Sequence, residues 1–182
     1  MTLFPLETER LWIRYWQPSQ DAAQAYEIYS DPRVTQWIGD KTTAQTIEDV
    51  RDRLQRYCDR FYKAAEGTGC WAVVEKNTEQ IIGNVLLVRL PDGHGNPCED
   101  REIGWHFRPA SWGYGYATEA ARRIVDYGFQ TLNLAELYAV AMVGNQRSTR
   151  VMKRLGMATL GITTNYYSGA ELLLYRLRAP QH

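Results

Sequence analysis

The chain has few cysteines. Cys58, Cys70 and Cys98 are odd in number and far apart, with no pair at metal or redox spacing. A disulfide framework and a zinc site are therefore not expected, and the usage fits a reducing cytoplasm. Surplus charge is missing too, because 21 Lys and Arg balance 21 Asp and Glu for a formal net charge of zero. Capture of nucleic acid or anionic membrane by bulk electrostatics needs a cationic surplus, so neither partner is expected, although a local basic patch is compatible with neutrality. Long apolar runs are absent: Val85 to Val88 is typical, and Met1 to Trp16 carries charges throughout. A bilayer span takes roughly 18 apolar residues, so a soluble, unexported protein with no membrane partner is expected.

What is present is 182 residues with 45% hydrophobic and 12% aromatic content, including six Trp. A length inside roughly 100 to 200 residues points to one domain spanning 1–182, able to bury about two thirds of its unfolded surface. No repeat, linker or low-complexity segment interrupts it. Arg10 to Trp16 alternates Leu11, Ile13 and Tyr15 with Trp12, Arg14 and Trp16, the period of a strand. Pro18 and Ser19 open a helix to about Ser30, stopped by Asp31 and Pro32 because the residue before proline avoids the α region. After Thr42 and Thr43, which are capping candidates, Ile47, Val50, Leu54, Tyr57, Cys58 and Phe61 recur at helical spacing.

Cys70 to Glu75 and Gln80 to Arg89 read as a β-hairpin. Leu90 to Asp100, with two Pro, two Gly and two Asp, reads as an exposed loop. Arg101 to Phe107 is a strand, followed by a helix from the Gly113–Gly115 turn to about Gly128 and a strand over Leu137 to Met142. Asn145 caps a helix with Ser148, Val151, Met152 and Leu155 on its inner stripe and Gly156 at its C-terminal end. Two last strands, near Met157 to Asn165 and Glu171 to Arg178, flank a turn at Ser168 and Gly169. The order gives a mixed α/β sheet of about seven strands flanked by helices, its consecutive central strands pairing as hairpins.

Glu102 through Ala120 is the most informative stretch, because a strand ends there in a glycine-bearing turn that passes directly into a helix. The first N–H groups of such a helix lack partners, and its dipole adds positive potential, so the junction suits an anion. A nucleoside triphosphate loop would need Gly, Lys and Ser or Thr in sequence, whereas Gly115 is followed by Tyr116 and Ala117. A dinucleotide fingerprint would need a small residue where Thr118 stands and an acidic residue about twenty positions on. By themselves the two glycines fit an ordinary tight turn as well as a ligand loop.

The wider pattern carries a resemblance. Arg108 through Ala120, with Trp112, Gly113, Tyr114, Gly115, Tyr116, Ala117, Thr118 and Glu119, resembles the acetyl-coenzyme A loop of the GCN5-related N-acetyltransferase (GNAT) superfamily, in the branch of the RimJ/RimL-like ribosomal-protein N-terminal acetyltransferases. Leu6 to Leu11 with Ile13 and Arg14 is similar to that family's opening strand, and Asp31, Pro32 and Val34 to its second helix. Asn145, Ser148, Val151, Lys153, Leu155, Gly156 and Met157 resemble its Asn, Ser and Leu-Gly-Phe run, with Arg154 and Met157 as departures. The four motifs occur in order over nearly the whole chain.

The resemblance implies an acetyl-coenzyme A dependent N-acetyltransferase that moves an acetyl group to a primary amine, a protein N-terminus or a small molecule, by direct attack on the thioester. It implies a sheet splayed between the strand ending at Phe107 and the strand over Leu137 to Met142. The backbone of Trp105 to Phe107 would pair with the pantetheine arm, and N–H groups from Trp112 to Ala117 would cradle the pyrophosphate. Asn145 and Ser148 would contact pantetheine. Trp112 stands where the wider family has Gln or Arg, so backbone capture survives and side-chain contact to phosphate does not. Homodimers occur among relatives.

Acetyl transfer needs a neutral amine, a held oxyanion and a proton for the thiolate. Glu102 is the first candidate base, since alternation puts Glu102, Gly104 and His106 on one strand face, with Gly104 leaving room for substrate. A carboxyl with pKa about 4.3 is a weak base, so Glu102 is expected to act through water or to be shifted upward by burial. The Phe107 N–H is a candidate oxyanion donor. Tyr167 and Ser148 are the candidate acids, Tyr having the pKa better matched to a thiolate. Each has a structural alternative: Glu102 in a sheet ion pair, Tyr167 as a packing aromatic, Ser148 as a helix residue near the ligand. His106 reads as a packed strand residue, His94 as a loop residue, and His182 is terminal. Arg147, Arg150 and Arg154 form a stripe suited either to the 3′-phosphate or to solvent. The acceptor cleft is expected from about Tyr26 to Ile38 and from Asn165 to Gly169. A coenzyme A-binding module without catalysis is the alternative function, and a dinucleotide oxidoreductase rests on two glycines alone.

Overall fold

The structure is a computed structural model that describes residues 5–39, 41–62 and 66–180. Its elements are β1 (Leu6–Glu7), β2 (Leu11–Tyr15), α1 (Pro18–Tyr29), α2 (Pro32–Thr35), α3 (Ile47–Tyr57), β3 (Gly69–Glu75), β4 (Ile81–Pro91), β5 (Pro97–Phe107), α4 (Tyr116–Gln130), β6 (Glu136–Met142), α5 (Gln146–Arg154), β7 (Ala158–Thr163) and β8 (Leu172–Arg178). The strands form one sheet in the order β1-β2-β3-β4-β5-β6-β8-β7. It has eight strands rather than about seven, because the two-residue β1 pairs with β2 through Leu6 and Ile13.

Alternation along the strands sorts the core into two layers. Trp71, Val73, Ile103 and Phe107 face Ala120, Ala121 and Ile124 of α4. Ala72, Val74 and Ile81 face Ala25, Ile28 and Tyr29 of α1 and Val50 and Leu54 of α3. Full burial of one such aliphatic side chain contributes about 1.5–3 kcal/mol, so each layer is held by many comparable increments. Among the described residues, no helix is long and apolar enough to cross a membrane.

Two local expectations are corrected. The cap of α3 is Thr46, not Thr42 or Thr43: Thr46 Oγ1 accepts from the Asp49 N–H at 3.1 Å and Asp49 Oδ2 accepts from the Thr46 N–H at 2.9 Å. A capping box needs an acidic or amide partner three residues on, and Asp49 fills that place for Thr46 with both reciprocal bonds made. Thr43 instead shares a hydrogen bond with Thr35 at 2.6 Å. The expected loop from Leu90 to Asp100 is mostly strand, since β4 runs to Pro91 and β5 starts at Pro97. Asp92 Oδ1 closes the short turn by accepting from the N–H groups of His94 at 2.8 Å and Asn96 at 2.9 Å. The two prolines face each other at the end of the ladder, where a missing N–H costs little.

One junction breaks the sheet. β5 and β6 are parallel and meet at the single pair Glu102 and Tyr138, whereas β4–β5 and β6–β8 pair along most of their lengths. Beyond Glu102 the two strands diverge.

Candidate active site

A cavity of about 840 Å³ fills this divergence, and its lining joins residues of β5, α4, β6 and α5 to the segment after α2 and the turn before β8. The backbone of β5 sets its inner edge. Arg108 donates its N–H to the Ile82 carbonyl at 3.1 Å, which fixes the phase of the antiparallel ladder. Opposite pairs then alternate, so His106 and Gly104 point their backbone groups at β4, while Trp105 and Phe107 point theirs into the cleft. The Phe107 carbonyl is already used, accepting from Trp112 Nε1 at 2.8 Å. The edge offered to a ligand is therefore both groups of Trp105 and the N–H of Phe107, narrower than the full Trp105 to Phe107 stretch expected.

The glycine turn supplies the second wall. Gly113 has φ +90° and Gly115 φ +84°. An added Cβ at Gly113 would meet nothing within 4 Å, so glycine is needed there for its backbone conformation rather than for space. Gly115 is the N-cap of α4 and supplies no side-chain cap, which leaves the first N–H groups of the helix open to a ligand. Thr118, whose Oγ1 is buried without a partner, adds a hydroxyl on the same wall. An anionic phosphate group fits this donor set. The loop is tied down from outside: Glu119 accepts from Arg10 Nε at 2.7 Å and from Thr8 Oγ1 at 2.5 Å, and Arg10 Nη1 donates to the Tyr114 carbonyl at 3.1 Å. Trp112, Gly113, Gly115, Tyr116 and Ala117 all line the cleft. Tyr114 does not; its side chain is 63% exposed and stacks on Tyr116 outside.

α5 closes this side. Asn145 Oδ1 accepts from the Ser148 N–H at 3.2 Å as the helix cap, which leaves the Asn145 amide N–H groups for a ligand. Ser148 and the stripe Arg147, Arg150 and Arg154 line the cleft, and the Arg147 guanidinium lies 4.3 Å over the Trp112 ring. That contact bridges the glycine turn and α5 across the cavity.

Glu102 sits at the apex of the divergence and is buried, without an ion-pair partner among the described residues. Removal from water pushes its carboxyl up to about 7, while a hydrogen bond from Tyr167 pulls the other way. Tyr167 is 37% exposed overall, yet its hydroxyl turns inward and donates to Glu102 Oε2. Its backbone conformation enforces that direction: Tyr167, Ser168 and Gly169 have φ of 51°, 58° and 83° in succession. For non-glycine residues this region is sparsely populated and is held by surrounding contacts. Here Tyr166 donates to Asp100 Oδ2 at 2.6 Å and bridges to Asp92. Burial and the adjacent Glu102 charge raise Tyr167 well above the ordinary phenol range.

His106 shares the Glu102 face, and burial with the charge of Arg53 pushes its imidazole down to about 4, so it is neutral at physiological pH. Its Nδ1 is buried without a hydrogen-bond partner and its ring packs edge-on to Tyr29 at 6.1 Å. His94 is exposed in the β4–β5 turn, and His182 lies outside the described residues. Gly104 leaves less room than expected, since the space over it is taken by Leu86, whose Cδ1 would lie 3.0 Å from an added Cβ.

The outer wall comes from Arg33, Val34, Trp37, Ile38, Ala170 and Leu172. Tyr26 is not part of it and donates to the Gln45 carbonyl at 3.1 Å instead. Trp37 falls inside the expected Tyr26 to Ile38 stretch and Thr118 inside the expected loop, whereas Leu86, Ala170 and Leu172 line the cleft without having been singled out in the sequence. Nothing local marks these three, because they reach the cleft only through the folding of the sheet.

The acetyltransferase (GNAT) domain family matches residues 10–158 of the chain. The "Uncharacterized N-acetyltransferase YoaA" of Bacillus subtilis (strain 168) is 29% identical over 165 residues, covering 90% of this chain and 89% of that protein. A crystal structure of a GNAT-family acetyltransferase from Bacillus anthracis superposes with a TM-score of 0.75 at 25% identity, over 95% of this chain and 97% of that one. The fold is also shared with RimL, a ribosomal L7/L12 alpha-N-protein acetyltransferase solved with coenzyme A, at a TM-score of 0.75, 13% identity and coverage of 96% and 97%.

Proposed function

Since the chain belongs to the GNAT acetyltransferase domain family, we propose that it moves an acetyl group from acetyl-coenzyme A to a primary amine, with Glu102 as the base. The observation that carries this reading is the buried Glu102 carboxylate at the apex of the open sheet, held by the Tyr167 hydroxyl. Acetyl-coenzyme A supplies the activated acyl group as a thioester. The Trp105 backbone, the Phe107 N–H, the N–H groups after Gly113 and the Asn145 amide are the groups that would hold it, with Thr118 and the arginines of α5 beside its phosphates.

An alkyl ammonium of pKa about 10.4 is neutral in roughly one part in two thousand at pH 7, so the amine must lose a proton before it can attack. A carboxylate raised to about 7 is a far better base than one at its ordinary value, and Glu102 takes that proton directly or through water. The amine nitrogen then bonds to the acetyl carbon, the carbon–sulfur bond breaks, and the sulfur leaves as the thiol. Two protons leave the ammonium nitrogen in all: the one taken by Glu102 before attack passes on to solvent, and the one shed once the nitrogen–carbon bond has formed balances the one that reaches the sulfur, so the protein returns to its starting state. Ser148 faces the same cavity and is the residue proposed to pass a proton to sulfur. Tyr167 is a positioning residue for Glu102.

Thiol release against a panel of amines, amino acids and short peptides tests the reading, together with a thermal-shift titration by acetyl-coenzyme A. A ligand at a hundredfold excess over its Kd stabilises a folded protein by about 2.7 kcal/mol, enough to shift the midpoint visibly. Stabilisation with thiol release is expected. Stabilisation with no release for any amine would identify a non-catalytic coenzyme A-binding module, and no stabilisation would remove the cofactor assignment altogether.

A further inference from the structure

We infer that the acceptor is a primary amine on an apolar body bearing no second positive charge, so that polyamines and other polycations are excluded. This rests on the acetyltransferase reading above and concerns the wall of the same cleft that faces Glu102. Alternation points the Glu102 side chain toward the α1–α3 layer, away from α4, so the acceptor approaches from the α2 side.

The surface it meets there is Val34, Trp37, Ile38, Leu86 and Leu172. Among the described residues lining the whole cavity, Glu102 is the one carboxylate, against the guanidinium groups of Arg33, Arg147, Arg150 and Arg154. The acids that adjoin the lining residues in sequence, Asp31, Asp92 and Asp100, are already hydrogen-bonded. Asp31 is bound by the Arg33 guanidinium at 2.6 Å and by the Arg33 N–H at 2.8 Å. Asp92 accepts the turn N–H groups of His94 and Asn96, and Asp100 accepts from Tyr166 at 2.6 Å. Glu102 itself is engaged by the reacting nitrogen. A second ammonium on the acceptor would therefore sit against apolar side chains or arginines, with no anion to offset the loss of its water. An apolar tail loses nothing polar on entry and gains burial against Trp37 and Ile38.

The test compares pentylamine with 1,5-diaminopentane, which share one carbon skeleton and differ by one ammonium. Initial thiol-release rates are measured with the wild-type protein at saturating acetyl-coenzyme A, and isothermal titration calorimetry reads binding of each amine to the protein and coenzyme A. Pentylamine is expected to exceed the diamine in kcat/KM by at least about tenfold, although the diamine offers two reactive ends, and to bind more tightly. Ile38→Glu, which places a carboxylate on the wall, is expected to narrow or invert that ratio. Equal or faster turnover of the diamine by the wild-type protein overturns the inference and leaves the acetyltransferase reading standing. Thiol release with neither these amines nor the wider panel overturns both.

Discussion

The two walls of the cleft are built from different materials. On the α4 side the ligand-facing groups are mostly backbone: the edge of β5, the turn at Gly113 and Gly115, and the uncapped start of α4. On the α2 side they are side chains, brought together from a segment after α2, from β4 and from the start of β8. Backbone donors are the same whatever residue carries them, so, the positive-φ glycines apart, the first wall tolerates side-chain change. The second wall has no such redundancy, and its chemistry changes with each residue. Under the proposed function, the difference separates what would hold the cofactor from what would select the acceptor.

The strongest way to break that separation is at the apex where the walls meet. Glu102→Gln keeps the shape and removes the base, so turnover is expected to fall by about 10²- to 10⁴-fold, with acetyl-coenzyme A affinity by calorimetry within a few-fold of wild type. Comparable losses in affinity and turnover would show that Glu102 belongs to the cofactor wall instead. Gly113→Ala attacks the backbone wall alone. The added methyl clashes with nothing, but φ +90° costs a non-glycine residue about 1–3 kcal/mol. Its KM for acetyl-coenzyme A is expected to rise roughly tenfold while the ranking of amines is preserved, and a changed ranking would contradict the division.

The pH profile sharpens the same point. Glu102 must be ionised to act, so kcat/KM is expected to rise with pH through a limb near the folded-state value of about 7. Because the hydrogen bond from Tyr167 favours the carboxylate, Tyr167→Phe should move that limb to higher pH, and a merely structural tyrosine would leave its midpoint in place. Folding reads the same shift with the opposite sense. A carboxyl raised above its unfolded value costs stability as pH climbs from the unfolded pKa toward 7, so chemical denaturation of Glu102→Gln should show less loss over that window. The smallest effect is expected for Arg147→Ala. Its loss removes a cation–π contact on Trp112 contributing about 0.5–1 kcal/mol, which predicts a two- to fivefold weaker cofactor affinity.

Much of the fold was legible from local rules. The stripe Val50 and Leu54 marked α3, alternation marked β2 and β5, and Asn145 and Gly156 bracketed α5. Errors fell where local composition misleads. Pro91 and Pro97 made a strand-borne hairpin read as a loop, and Thr42 and Thr43 drew the cap away from Thr46, whose partner lies three residues on. On the cofactor wall, every residue singled out except Tyr114 lines the cleft, and the exception contributes its carbonyl to Arg10. That Tyr167 donates its hydroxyl to Glu102 Oε2, and is raised above the ordinary phenol range by burial and that carboxylate, was not legible in the sequence.

By itself the sequence determined most of the helices and strands and the glycine turn before α4, because helical period, strand alternation, capping and the backbone freedom of Gly113 and Gly115 are properties of a few consecutive residues. Only the tertiary structure decided that Tyr167 meets Glu102 across 65 positions of chain, that the carboxyl is pushed up to about 7, and that Glu102 is the one carboxylate among the described residues lining the cleft. Those features depend on desolvation and on contacts through space, and a carboxyl has no burial until strands from distant parts of the chain close over it.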